Sequence, residues 1–316
     1  MPQATEATDV FVPALRNGVG ASRVGVGANR FATVLDFLVA RFPAVGDWAA
    51  RLARGDVLDA RGWPLKADAA CVPGMLLWYW RDPPPEPRIP FELELLHQDE
   101  HLVVVDKPHF LPVIPGGRHL LETALVRLRQ QLGIATLAPM HRLDRDTAGV
   151  LVFTVQPATR HAYQSLLSER RVHKVYEAVA PWRADLALPN LCRHRLEQRP
   201  GAAFMQMQVV PGEPNAQTFV ELLAHIEPAG LAHYRLTPHT GRKHQLRAQM
   251  SALGLPIVGD RIYPQLLPQP APAAAPDYAQ PLQLLAREFA FTDPISGQRR
   301  CFTSRRRLQA TAGLPR

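Results

Sequence analysis

The run DPPPEPRIP at 82–90 constrains this chain more than any other stretch. Prolines at that density lock φ and remove backbone donors, so they exclude helix and interior strand and hold an extended connection. The polypeptide must therefore fold as two segments on either side of it. The reading gives a flexible leader over 1–28, a small module over 29–82, a Pro-rich linker over 83–90 and a larger domain over 91–316.

The leader contains NGVGASRVGVGANR, which has the glycines of a phosphate loop but not its setting. A dinucleotide fingerprint follows a strand and opens a helix, whereas Gly18, Gly20, Gly25 and Gly27 precede any established element. In the module, FATVLDFLVARF has apolar residues at helical spacing, WAARLARG is a second short helix closed by Gly55, and LDARGWPLKAD reads as strand, turn, strand.

The larger domain opens with FELELLHQDEHLVVVDKP, two apolar strands around a polar turn. Further strands are expected at 149–155, 173–180, 217–224 and 233–237, and helices at 119–132, 158–170 and 242–253. This mixture predicts an α+β fold with a largely antiparallel sheet. QLLPQPAPAAAPDYAQ (265–280) is a Pro/Ala-rich surface interruption.

Composition narrows the function. At 316 residues and 47% hydrophobic content the chain can bury a substantial core. No stretch approaches the roughly 20 apolar residues of a membrane span, and MPQATEATDV lacks the basic and apolar regions of a signal peptide. A cytoplasmic monomer is expected. Cys71, Cys192 and Cys301 lie far apart with no C-x-x-C pair, so neither a disulfide framework nor a zinc knuckle is indicated. The formal charge of +8 points toward polyanionic partners.

Three segments carry chemistry. HQDEH (97–101) matches H-x-x-E-H, but zinc chemistry needs both histidines on one helical face, and these sit in a turn between strands. No metal site is expected. In HRLDRDTAGVLVF (141–153), Asp144 and Asp146 stand among arginines just ahead of an apolar strand. An aspartyl phosphatase would place them after the strand, which argues against phosphoryl transfer. A plain alternative for Asp144 is a turn carboxylate paired with Arg142 or Arg145, worth about 0–1 kcal/mol. In RRVHKVYEAVA, a period of two puts Lys174, Tyr176 and Ala178 on one face and Val175, Glu177 and Val179 on the other. A Tyr beside a cation either packs its sheet or stacks on a nucleobase. In TGRKHQLRAQMSALGLPIVGD (240–260), Gly241 turns the chain into a helix. Its buried stripe is Leu246, Met250 and Leu253, with Lys243 and Arg247 on an adjacent face and Arg247 at the core's rim.

Taken in order, HQDEHLVVVDKP (97–108), HRLDRDTAGVLVF, HKVYEAV (173–179), TGRKHQLRAQMSALGLPIVGD and LQLLAREFAFTDPISGQ (282–298) resemble the RluA-type RNA pseudouridine synthases over about 90–316. The resemblance implies a mixed, largely antiparallel sheet with flanking helices and a central cleft. The N-terminal module resembles an S4-like RNA-binding domain without its dense basic cluster.

By the same resemblance, Asp144, fourth in HRLD, matches the catalytic aspartate. Tyr176 matches the Tyr that stacks on the uracil, Arg247 the basic residue paired to the aspartate, and Arg142 the arginine that holds the extruded nucleotide. Lys174, Arg242, Lys243 and His244, from these motifs, are expected to contact RNA. Asp146 has no such role. The implied reaction isomerises uridine without net redox change, so no cofactor is expected and the partner is ribosomal or transfer RNA. Ala148, Lys243, Gln249 and Leu285 depart from the family pattern, which places substrate-facing detail in question. Two other classes remain to be separated from this one, a non-catalytic RNA-binding or ribosome-assembly protein that keeps the fold, and a magnesium-dependent phosphatase.

Overall fold

The structure, a computed structural model, describes residues 11–28, 30–81, 86–117, 119–201, 205–268 and 277–313. The first ten residues of the expected leader, residues 82–85 at the junction of module and linker, and the middle of the Pro/Ala-rich stretch lie outside the described residues. The chain divides into two compact units. One comprises the described residues up to Pro87 with those of 115–122 and 126–135. The other comprises Arg88–Ile114, Thr123–Leu125 and the described residues from Thr136 onward. Part of the segment read as belonging to the larger domain thus joins the first unit.

In the first unit, β1 (Ser22–Gly25), β2 (Val57–Leu58) and β3 (Leu76–Tyr79) form an antiparallel sheet in the order β1-β3-β2. β1 falls where the sequence reads as leader. Its partner β3 is more than fifty residues downstream, so local pattern does not reveal the pairing. The second strand expected in LDARGWPLKAD is reduced to a bridge between Leu58 and Pro64, and β2 pairs with β3 instead. The two helices form as expected. α1 (Val34–Arg41) is capped by Thr33, whose side chain accepts from the Asp36 amide, and α2 (Trp48–Ala53) by Asp47, which accepts from the Ala50 amide. Gly55 follows α2 at φ 74°, a backbone state that favours glycine. Val34, Phe37, Leu38, Trp48 and Leu77 pack into this unit's core.

The second unit is built on one eleven-stranded sheet. Along the chain come β4 (Glu94–Gln98), β5 (Leu102–Lys107), β6 (Ala138–Pro139), β7 (Ala148–Thr154) and α4 (Arg160–Ser168), while α3 (Ala124–Leu132), between β5 and β6 in sequence, falls mostly in the first unit. They are followed by β8 (Val172–Pro181), β9 (Asn190–Gln198), β10 (Met207–Val210), β11 (Ala216–Ile226), β12 (Leu231–Pro238), α5 (Gln245–Ala252), β13 (Leu284–Thr292) and β14 (Arg299–Thr303). The spatial order is β10-β9-β11-β12-β8-β13-β7-β5-β4, with β14 beside β13 and β6 beside β7. Every pair is antiparallel except β13 with β7, so the sheet is mixed and largely antiparallel as expected. β9, β10, β13 and β14 are strands that the periodicity does not single out, and helix α3 starts five residues later than expected.

The central strands read as continuous apolar runs because neither face meets water: all residues of β5 and β7 are buried. One glycine fixes their junction with β13. Gly149 has φ 113°, and a Cβ there would lie 2.2 Å from the Ala286 carbonyl oxygen, so the only parallel contact in the described sheet requires the backbone to come this close. The pairing has a consequence for the site. β13 matches Leu285 to Ala148 on one side and Ala286 to Tyr176 on the other, which brings the start of β7 and the middle of β8 to one region of the sheet.

On the opposite face of β8, Glu177 accepts from Arg287 Nε at 2.7 Å and Nη2 at 2.8 Å, with His233 Nε2 at 3.3 Å. Arg287 Nη1 also donates to the carbonyls of Ser304 and Arg306, which ties the C-terminal segment to the sheet. Burial acts to raise the Glu177 pKa, but hydrogen bonds from His233 and Arg287 more than offset it and pull it down to about 2. A carboxylate depressed on folding stabilises above its unfolded pKa, near 4.5, and loses that contribution as pH falls through the folded value. Urea unfolding from pH 6 to pH 2 should therefore show Glu177→Gln destabilised at pH 6, with the gap to wild type closing between about pH 4.5 and pH 2. A gap that stays constant with pH would contradict this.

Candidate active site

Asp144 sits in the turn that leads into β7, where the Thr147 amide donates to the Asp144 carbonyl at 3.2 Å. The turn is held from behind. Lys107, at the end of β5 and wholly buried, donates to the carbonyls of Pro108, Leu111 and Arg145 at 2.9, 2.9 and 3.0 Å, and His109 Nδ1 lies 2.7 Å from the Asp146 carbonyl. Three acceptors match the three N–H bonds of an ammonium, while desolvation pushes the Lys107 pKa down to about 7. His141 anchors the other side: its Nε2 accepts from the Val152 amide at 3.2 Å, and its ring stacks on Phe289 at 4.3 Å. Burial, then Lys174, depresses its pKa to about 3, so the ring is neutral.

Helix α5 supplies the partner of Asp144. The sequence suggests one apolar stripe, but Gln245, Leu246, Arg247, Ala248, Gln249 and Met250 are all buried. Its polar residues are satisfied internally. Gln245 Nε2 donates to the Gln217 carbonyl and to Thr218, and Gln249 accepts from Thr218 Oγ1 at 2.6 Å. Arg247 is therefore not at the rim of the core. It is 2% exposed and it joins two carboxylates. Its Nη1 donates to Asp144 Oδ2 at 2.9 Å, while Nε and Nη2 donate in parallel to Asp260 Oδ2 and Oδ1 at 2.8 and 2.7 Å. Asp260 is fully buried and also accepts from the amides of Ile262 and Tyr263. Burial disfavours the guanidinium charge, but Asp260 first and Asp144 second more than offset this and raise its pKa further. The Arg247 guanidinium also lies over the Tyr263 ring, 5.5 Å from its centroid.

The eight residues singled out from the sequence come together. Asp144, Tyr176, Arg247, Arg142, Lys174, Arg242, Lys243 and His244 all line one cleft of about 840 Å³ within the second unit. Asp144 is the one carboxylate among the described lining residues, and it keeps 30% of its side chain exposed there. Tyr176 lies beside it: burial, then the Asp144 charge, raise the phenol's pKa, so the ring stays neutral. Lys174 donates to the Thr240 carbonyl at 3.2 Å, and burial lowers its pKa. His244 caps α5 at φ 52°, with Nε2 at 3.8 Å from Asp144 Oδ2 and Nδ1 at 3.2 Å from the Tyr263 hydroxyl. Burial depresses its pKa, and the nearby Asp144 opposes that only in part. Asp146 behaves differently. It does not line the cleft, and its carboxylate pairs with Arg145 at 2.9 and 3.2 Å.

Sequence reasoning gives no role to Asp260, Tyr263, Lys107 or Gln245. Asp260 ends the quoted GLPIVGD and Lys107 lies in the quoted VVVDKP, but only the fold turns either toward the site. Of the four departures from the family pattern, Ala148, Gln249 and Leu285 are buried in the sheet and helix contacts, so only Lys243 bears on the cleft surface. Among the described residues no three of His, Cys, Asp and Glu are grouped to hold a metal ion. His97 and His101 lie at the β4–β5 hairpin and pair with Asp99 and Glu100.

Residues 101–252 match the family model for RNA pseudouridylate synthase. The dual-specificity RNA pseudouridine synthase RluA of Haemophilus influenzae is 35% identical over 231 residues, 71% of this chain and 96% of that protein. The counterpart in Pasteurella multocida is 33% identical, covering 68% of this chain and 91% of that one. Among solved structures, human RNA pseudouridylate synthase domain-containing protein 1 matches with a TM-score of 0.54 and 22% identity, over 69% of this chain and 85% of that one, which is a likeness of fold. These matches define the class, an RNA-modifying isomerase. The chain belongs to the RluA-type RNA pseudouridine synthase family, and it is an enzyme that converts uridine in RNA to pseudouridine.

In this bridge Asp260 is the residue that fixes the Arg247 guanidinium. Asp260→Asn leaves a buried guanidinium with one counter-charge, which is expected to cost about 3–5 kcal/mol of stability. Pseudouridine formation should slow while RNA affinity holds, because Asp260 is buried away from the cleft surface. Denaturant titration together with single-turnover assays would check this, and an unchanged stability would contradict it.

Proposed function

We propose that this enzyme isomerises uridines in structured ribosomal or transfer RNA, with Asp144 as its reactive group. The observation that carries the reading is the ionic bridge Asp144–Arg247–Asp260 at the wall of a basic cleft. Conversion of uridine to pseudouridine breaks N1–C1′, turns the uracil and joins C5 to C1′. The proton on C5 is lost and N1 gains one, so composition and oxidation state are unchanged. The reaction needs an ionised carboxylate beside the sugar in a site poor in water. Desolvation alone favours the neutral acid, and a fixed guanidinium reverses that tendency. Arg suits the task better than Lys because it stays charged when buried and binds carboxylates through two parallel hydrogen bonds.

The remaining lining residues fit the same reading. The target base must leave its stack, at a cost of a few kcal/mol. Stacking on Tyr176, worth about 1–3 kcal/mol, would offset this, as would phosphate contacts from Arg142, Lys174, Arg242 and Lys243. His244, neutral beside Asp144, can hydrogen-bond the sugar or base without competing for the carboxylate's charge. A pure RNA binder gains nothing from placing a carboxylate among its cations, since it repels phosphate. We further read the enzyme as a cytoplasmic monomer that uses no cofactor, with its first unit as an auxiliary S4-like RNA-binding module. The relatives' names support the substrate class: those of Haemophilus influenzae and Pasteurella multocida are called dual-specificity enzymes, and one from Nitrosomonas europaea is called a ribosomal large subunit pseudouridine synthase.

Asp144→Asn should abolish pseudouridine formation and leave RNA affinity within about tenfold, because it removes a reactive group and not a phosphate contact. Asp146→Asn should lose far less. Equal losses in quantitative pseudouridine assays would reject Asp144 as the reactive residue. Arg247→Lys conserves charge but cannot reach both carboxylates at once, so it should lower the catalytic rate by at least about tenfold.

A further inference from the structure

Beside the catalytic cleft lies a second cavity of about 680 Å³ that the reaction itself does not use. Its cationic lining is Arg170, Arg171, Lys174 and Arg193, with His173 and His239 beside them, and no carboxylate is among the described lining residues. Arg170, Lys174 and His239 line both cavities, so the two adjoin in the second unit.

Two features set this surface apart from the general positive charge of the chain. Arg170 is the residue just past α4, and it holds a left-handed backbone at φ 58°. Its amide and that of Arg171 close the helix on the carbonyls of Leu167 and Leu166 at 3.2 and 2.8 Å. Glycine takes that position without strain, so an arginine there accepts a conformational penalty while carrying a cation to the mouth of the cleft. The cations also converge from separate elements. Arg170 and Arg171 come from the α4–β8 corner, Lys174 from β8, and Arg193 from β9. Arg171 pairs with Glu169 at 3.1 Å, but both side chains are more than half exposed, so a phosphate can displace that pair cheaply.

We propose that this cavity binds the backbone phosphates of RNA flanking the target nucleotide, leading the strand over the α4–β8 corner into the cleft. The proposal rests on the isomerase reading for its substrate and adds the path of the strand. A cleft whose carboxylate repels phosphate needs the flanking backbone anchored elsewhere, and cations that line only the side cavity can do this without approaching Asp144.

The test uses full-length protein with the double substitution Arg171→Gln and Arg193→Gln, both lining the side cavity but not the cleft. A control carries Arg235→Gln and Arg299→Gln, exposed positions that line neither cavity. Affinity for an unmodified tRNA transcript is measured across a salt series, and pseudouridine formation by wild type is assayed on unmodified rRNA and tRNA transcripts. The cavity variant should bind about tenfold or more weakly, and its slope of log Kd against log salt should be shallower by about 1.5, as expected for two lost phosphate contacts. The control should stay near wild type. An unchanged slope in the cavity variant, or an equal loss in the control, overturns the proposal whether or not the wild type isomerises. If the variant loses slope while wild type makes no pseudouridine, the phosphate path stands and the isomerase reading is the one that fails.

Discussion

One guanidinium organises the working part of this molecule. Arg247 is buried, and a buried cation is tolerated only where partners satisfy it fully. Asp260 takes two of its hydrogen bonds in a fork and has backbone amides on its own oxygens, so the Arg247–Asp260 pair is rigid before any substrate arrives. The third direction of the guanidinium then fixes where a carboxylate of the neighbouring turn can sit. Asp144 occupies that position, where it accepts from Arg247 Nη1.

Much of the surrounding fold serves this geometry. The parallel contact between β13 and β7, possible because position 149 is glycine, sets the start of β7 beside the middle of β8 and hence Asp144 beside Tyr176. Lys107 and His109 hold the turn through its carbonyls, and the Gln245 and Gln249 amides fasten α5 to β9 and β11. A helix buried on all sides has no amphipathic pattern to read, which is why the stripe inferred for 242–253 underestimates its burial.

Two aspartates separated by one residue look equivalent along the chain but sit in different electrostatic settings. Asp146 has its own arginine and does not line the cleft, whereas Asp144 shares its arginine with a buried carboxylate and lines the cleft among several cations. The charge surplus visible in the composition is likewise uneven. It gathers around the cleft and the cavity beside it.

The sequence by itself determined the α+β class, the buried central strands, the α1, α2 and α4 helices, and the set of residues that line the cleft, because strand and helix periodicities are local and five ordered motifs match one family. It did not reveal β1, β9, β10 or β13 as strands, since their pairing comes from partners distant along the chain and their own pattern is weak. Only the tertiary structure decided that Arg247 is interior, that Asp260 holds it, and that the basic corner at Arg170 and Arg171 opens into the same cleft. Each of these is a meeting of segments 13 to more than 100 residues apart, and the energy of an ion pair depends on distance in space, which the order of residues does not state.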